Sequence, residues 1–198
     1  VAIEGIDGSG KTTFARALRD KLEGGGRSVK LTCEPTDGVV GSLIKRAVED
    51  GIEPETEALL FMADRCEHVR EIRGWLRRGY DVIADRYVYS TIAYQGERLR
   101  QKHGAEMEEW LWILFQPFAL WPDVVVLLDI EPAEGLARVS GRRTSRERFE
   151  DLRFLEGVRA RYLAMAEKHG FIVLDARLPV EALVERLVDA LLQDHSKR

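Results

Sequence analysis

"EGIDGSGKTT", residues 4–13, lies almost at the start of the chain and decides what the rest must be. Gly5, Gly10, Lys11 and Thr12 fall at the spacing GxxxxGK[ST], a loop whose backbone amides surround phosphate oxygens. The flanks agree. Val1-Ala2-Ile3 is apolar and reads as the end of a strand, while Phe14, Ala17, Leu18 and Leu22 recur at helical spacing over 12–22. Gly5, Gly8 and Gly10 let the backbone turn its N–H groups inward, and those donors and the helix N-terminus attract anionic oxygen. Lys11 would reach the terminal phosphates of a nucleotide such as ATP, and the Thr12 hydroxyl a magnesium ion. Ile6, Asp7, Ser9 and Thr13 complete the nucleotide-binding loop.

The remaining composition narrows the classes. At 198 residues and 45% hydrophobic, the chain is long enough for one well-buried domain spanning 1–198. A net charge of −4 argues against a partner that is a nucleic acid polymer or a membrane surface, both of which call for basic excess. Cys33 and Cys66 are too few for a disulfide framework and lack metal-ligand spacing, so reduced thiols in a cytoplasmic setting are expected. No apolar run reaches membrane-spanning length, and no basic-then-apolar leader is expected. The absence of Asn and the excess of Arg over Lys fit either a heat-adapted source or a GC-rich genome.

Short β-branched or apolar runs predict further strands at 28–32, 81–84, 123–128 and 171–174. Helical spacing predicts helices over 55–77, 90–103, 106–118, 132–142, 148–168 and 179–193. Strands alternating with helices imply an α/β, three-layer fold of the P-loop NTPase type, with a five-stranded parallel sheet covered on both faces. Ligands are then expected beyond the carboxyl ends of the strands. One such end carries "DRYVYSTIAYQ", residues 85–95. Asp85 is placed there to partner a magnesium ion or a nucleophile, and Arg86 can grip a phosphate with two prongs.

With these residues in view the chain resembles the thymidylate kinases, which phosphorylate dTMP to dTDP. The resemblance rests on the loop 5–13, Glu34-Pro35, Phe61-x-x-x-Arg65, Asp85-Arg86-Tyr87-x-x-Ser90-x-x-Ala93-Tyr94-Gln95, Pro122-Asp123 before a strand ending Leu128-Asp129, and Arg148-Phe149-Glu150 before a helix holding Tyr162. The family's substrates are dTMP and ATP, with magnesium as cofactor. The resemblance implies that Phe61 stacks on thymine and Arg65 bonds its edge, four residues apart on one helical face. It further implies that Asp7 meets the acceptor's 3′-hydroxyl and Arg86 its phosphate. Ser90 and Thr91 lie where base and phosphate are contacted, and the ring of Tyr94 crowds C2′ and disfavours ribose. Glu34 and Gln95 belong to the same substrate set. A homodimer is implied as well. Two departures stand out: many relatives carry Arg where this chain has Cys33, so that one acceptor-phosphate contact is either missing or supplied elsewhere, as by Lys45, and one class carries an Arg at the position of Gly8.

The basic segment "SGRRTSRERFE", residues 140–150, then reads as a short lid. Phosphoryl transfer needs positive charge on the equatorial oxygens, and a closing loop can deliver an arginine. Arg142, Arg143, Arg146 and Arg148 are the choices, with Arg143 and Arg146 taken as catalytic beside Lys11, Asp85 and Arg86. Adenine is expected between Arg138 and the loop 175–177. A GTPase would need an Asn-Lys-x-Asp motif, impossible in a chain without Asn. A kinase for another nucleotide or nucleoside, or an inactive P-loop regulatory protein, are the alternatives.

Overall fold

The computed structural model describes residues 1–139 and 145–195, with side chains described within 1–139 and 151–191. In chain order the elements are β1 (Ala2–Glu4), α1 (Lys11–Gly24), β2 (Val29–Cys33), α2 (Val39–Asp50), α3 (Pro54–Arg77), β3 (Asp81–Asp85), α4 (Val88–His103), α5 (Met107–Phe115), a 3-10 turn (Gln116–Phe118), β4 (Val125–Asp129), α6 (Pro132–Arg138), α7 (Ser145–His169), β5 (Ile172–Asp175) and α8 (Val180–His195). The five strands form one sheet in the order β2-β3-β1-β4-β5, and every pairing is parallel.

Apolar strand runs follow from burial on both faces. Val82, Ile83 and Ala84 of β3 and all of Val125, Val126, Leu127 and Leu128 of β4 are buried. Helix α1 packs on β1, β2, β3 and α8, while α4 packs on α3, α5 and α7, with α3 reaching β3 and α7 reaching β4. Phe14 and Leu18 of α1 join Ile92 and Leu99 of α4, and Val158 and Tyr162 of α7, in one continuous core. Helix α3 starts with Pro54 in its first turn and Glu55 and Glu57 just behind, the arrangement that suits a helix N-terminus.

Each strand lies within two residues of its expected position. One helix was not expected: α2 starts with Gly38, two valines and Gly41, a composition that reads as loop. It forms because Gly41 packs directly on residue 36, where an added Cβ would come 2.1 Å from the Thr36 carbonyl oxygen. Helix α6 is shorter than the spacing over 132–142 predicts and ends at Arg138.

Register brings the functional ends together. Asp85 is paired with Ile3 on one side and Cys33 on the other, so the ends of β1, β2 and β3 form a single rim facing the phosphate loop.

Candidate active site

The loop between β1 and α1 follows from its glycines. Gly5, Gly8 and Gly10 have φ of 146°, 81° and 87°, which side-chain-bearing residues rarely adopt. At Gly8 a Cβ would also lie 2.1 Å from the carbonyl oxygen of Gly135 in α6, so loop and helix touch backbone to backbone. The amides of residues 11–13 open α1 and have no acceptor within the helix, which makes this end an anion cradle. Lys11 is buried, its Nζ donating to the Ile6 carbonyl at 2.8 Å and lying 3.4 Å from Ser9 Oγ. Burial, helped by the nearby charge of Arg86, pushes its pKa down to about 7.

Thr12 Oγ1 donates to Asp85 Oδ2 at 2.5 Å. These are two hard oxygen donors beside the cradle. Magnesium is held by one or two such groups plus phosphate oxygens and water, not by an all-protein cage. Among the described residues no group of three or more His, Cys, Asp or Glu could hold a metal. The donor set therefore fits magnesium carried on a nucleotide. Asp129, at the end of β4, is committed elsewhere: Arg159 donates to both of its oxygens, at 2.7 and 2.9 Å.

Arg86 follows Asp85 with φ 68°, the one non-glycine residue at positive φ among those described, a conformation that costs about 1–2 kcal/mol. Its guanidinium pairs with Asp7, donates to the Gly5 carbonyl at 3.2 Å and Ser90 Oγ at 3.3 Å, and stacks 4.9 Å from the centre of the Tyr94 ring. Tyr94 Oη accepts from the Asp7 amide at 3.1 Å and from Arg86 Nη2 at 3.4 Å. Loop, strand end and α4 are thus bonded around one guanidinium.

Behind this rim lies a buried relay. Glu34, at the cis Glu34–Pro35 peptide, takes Arg65 on one oxygen and His68 Nδ1 on the other at 2.8 Å. His68 Nε2 bonds Thr32 Oγ1 at 2.7 Å, and Arg65 Nη2 also donates to Thr91 Oγ1 at 2.9 Å and the Tyr87 carbonyl at 3.1 Å. Arg65 Nε is buried without a partner, so this edge of the guanidinium keeps a donor in hand. Phe61, half-buried, is one turn earlier on α3. Gln95 is buried and donates to Glu57 at 3.1 Å.

On the other side, Arg138 at the end of α6 donates to the carbonyls of Gly8, at 3.3 Å, and Ala176, at 3.0 Å. It ties the phosphate loop to the loop after β5, where Asp175 and Arg177 pair. A cleft of about 440 Å³ runs between these parts, with Lys11, Thr12, Asp85, Arg86 and Arg138 in its walls.

Of the residues singled out from sequence, Asp7, Gly8, Gly10, Lys11, Thr12, Thr13, Asp85, Arg86 and Arg138 line the cleft, while Ser90 and Tyr94 meet it only through their contacts with Arg86; Glu34 lines it with its carboxylate turned to Arg65 and His68. Thr91 and Gln95 are buried behind. Lys45 is paired with Asp37 at 2.7 Å. Arg143 lies outside the described residues, as do the side chains of Arg146 and Arg148 and Arg142 as a whole. Glu4 and His68 carry no sequence signal: a lone Glu before the loop and a His within a helix look like ordinary strand and helix residues.

A family model described as thymidylate kinase matches residues 3–187. A probable thymidylate kinase of Pyrobaculum calidifontis is 41% identical over 96% of this chain and 98% of its own length. Similar relatives bearing the same description come from Thermococcus onnurineus, 43% identical over 100% and 99%, and Staphylothermus marinus, 38% identical over 98% and 94%.

Proposed function

Because the chain belongs to the thymidylate kinase family, we propose that it transfers the γ-phosphoryl group of ATP to dTMP, giving dTDP and ADP. The observation that carries this reading is the junction of the phosphate loop with Arg86, where Asp7, Tyr94 and Ser90 converge on one guanidinium at the loop's edge. A loop for the donor's phosphates and an arginine for the acceptor's phosphate share one cleft.

The chemistry asks mainly for alignment. An oxygen of the dTMP phosphate, already anionic, attacks the γ-phosphorus while the bond to the β–γ bridging oxygen breaks and ADP leaves. No strong base is needed. The loop amides and Lys11 hold the donor phosphates, and Arg86 holds the acceptor phosphate in line. Asp7 receives the 3′-hydroxyl, the ring of Tyr94 excludes a 2′-hydroxyl, and Phe61 with the free edge of Arg65 reads thymine. Thr12 and Asp85 would hold magnesium, which when bound neutralises phosphate charge as it develops. Arg143 and Arg146 of the lid supply positive charge to the transferred group. Adenine lies beside Arg138. The setting is the cytoplasm and the assembly a homodimer, for which the exposed Leu43 and Val48 of α2 and Leu59 of α3 offer apolar surface.

An ADP-release assay offering dTMP, dUMP, dCMP, dGMP, AMP and thymidine in parallel tests this. Preference for dTMP is expected, with dUMP slower, since one methyl group in a pocket is worth about 1–3 kcal/mol. Preference for another acceptor would overturn the roles of Phe61, Arg65 and Tyr94. No turnover with any acceptor would favour an inactive regulatory protein.

A further inference from the structure

Glu4 ends β1 one residue before the phosphate loop and is fully buried. Among the described residues it makes no salt bridge, yet three donors converge on it. Oε1 accepts the Tyr87 amide at 3.1 Å, and Oε2 accepts the hydroxyls of Ser90 at 2.6 Å and Tyr162 at 3.2 Å. A carboxylate with no bonded counter-ion is costly to bury, and here the three donors that converge on it offset that cost.

What it holds is the turn around Arg86. The amide of Arg86 itself is fixed to the Ile3 carbonyl at 2.9 Å, so β1 already grips the chain on one side of the left-handed residue. Glu4 grips it on the other side through Tyr87. The Ser90 hydroxyl then accepts from Arg86 Nη1 at 3.3 Å while giving its own proton to Glu4, which links the guanidinium to the buried carboxylate through one oxygen. We propose that Glu4 is a positioning residue for the acceptor-phosphate arginine, holding residue 86 in its left-handed conformation and aiming its guanidinium towards Asp7. The assignment rests on the reading of Arg86 as the acceptor phosphate's ligand. A carboxylate suits the site because both of its oxygens accept; the amide of glutamine offers one accepting oxygen, so its N–H₂ must face either the Tyr87 amide, which can only donate, or the two hydroxyls, which would then have to give up their bonds to the carboxylate.

The test is Glu4→Gln, with Ser90→Ala as a second variant that cuts the side-chain link and leaves the backbone grip. Crystal structures of both read residue 86 directly, whatever the acceptor. For Glu4→Gln a changed φ at Arg86 or a turned guanidinium is expected, and an unaltered Arg86 overturns the proposal. In steady-state kinetics KM for dTMP should rise about tenfold while KM for ATP stays within about twofold. Combined with Arg86→Lys, Glu4→Gln should add little further loss, because it acts through the same group. Full additivity, or equal changes in both KM values, would mean a general structural role and reject the assignment. If the wild-type chain prefers another acceptor, the dTMP reading falls while the same cycle, run on that acceptor, still decides the role of Glu4. If Glu4→Gln does not fold, the crystal structure of Ser90→Ala must show the Arg86 guanidinium turned from Asp7, and an unaltered guanidinium rejects the proposal.

Discussion

Burial of Lys11 against its own loop lowers its pKa to about 7, an unusual setting for a phosphate grip. Phosphate oxygens beside it would restore the full charge. ADP binding near about pH 8 should therefore take up close to one proton, and the uptake should fade as the pH drops below about 7, where the free lysine is already protonated. Calorimetry in buffers of different ionisation heat measures this; no uptake at the higher pH would contradict the lowered pKa. Tyr94 separates two jobs in one side chain. In the proposed function its ring excludes ribose, while its hydroxyl accepts the Asp7 amide. Tyr94→Phe should keep discrimination against ribonucleotides while losing about fivefold in turnover, the worth of about 1 kcal/mol for a lost hydrogen bond. Tyr94→Ala should lose both, and equal discrimination in the two variants would refute the steric role. Residues of this kind were legible because the loop and the 85–95 stretch have fixed spacing. Glu4 and His68 were not, since what marks them is burial and convergent donors, which only the tertiary structure creates.

At the scale of elements, glycines set how closely helices approach. Gly157 of α7 faces α4, where an added Cβ would come 2.6 Å from the carboxylate of Glu97. That carboxylate is buried and collects Arg100, Arg161 and Gln101, which holds its pKa below the ordinary value against the cost of burial. Gly157→Ala should lower stability by about 1–3 kcal/mol, measured by denaturant unfolding, because an overpacked and immobile neighbour cannot yield. The proposed lid arginines are the other test at this scale. Replacing Arg143 or Arg146 with Ala should reduce kcat with little change in KM for dTMP, as for a group acting only in the transition state. Undiminished kcat in both would transfer the role to another residue. Strong periodicity made the long helices legible. Helix α2 was hidden because its first residues are poor helix formers, and a contact between Gly41 and residue 36, invisible to local spacing, carries it.

For the whole molecule, alternation of strands and helices was enough to imply a parallel sheet, and the apolar runs located its strands. Their order, with β1 between β3 and β4, brings Asp85 beside the loop although 80 residues separate Asp85 from Gly5. Sedimentation equilibrium should give twice the 22.5 kDa chain mass; the chain mass itself would refute the homodimer. The contact between Gly8 and Gly135 also limits what residue 8 can be. Two backbones meeting at that distance leave no room for a first step: any side chain at residue 8 must wait for α6 to move, and a move of α6 disturbs Arg138 and both carbonyls it joins. While α6 holds this place, residue 8 can offer the transferred group no side chain at all, and any charge it needs must come from elsewhere in the cleft.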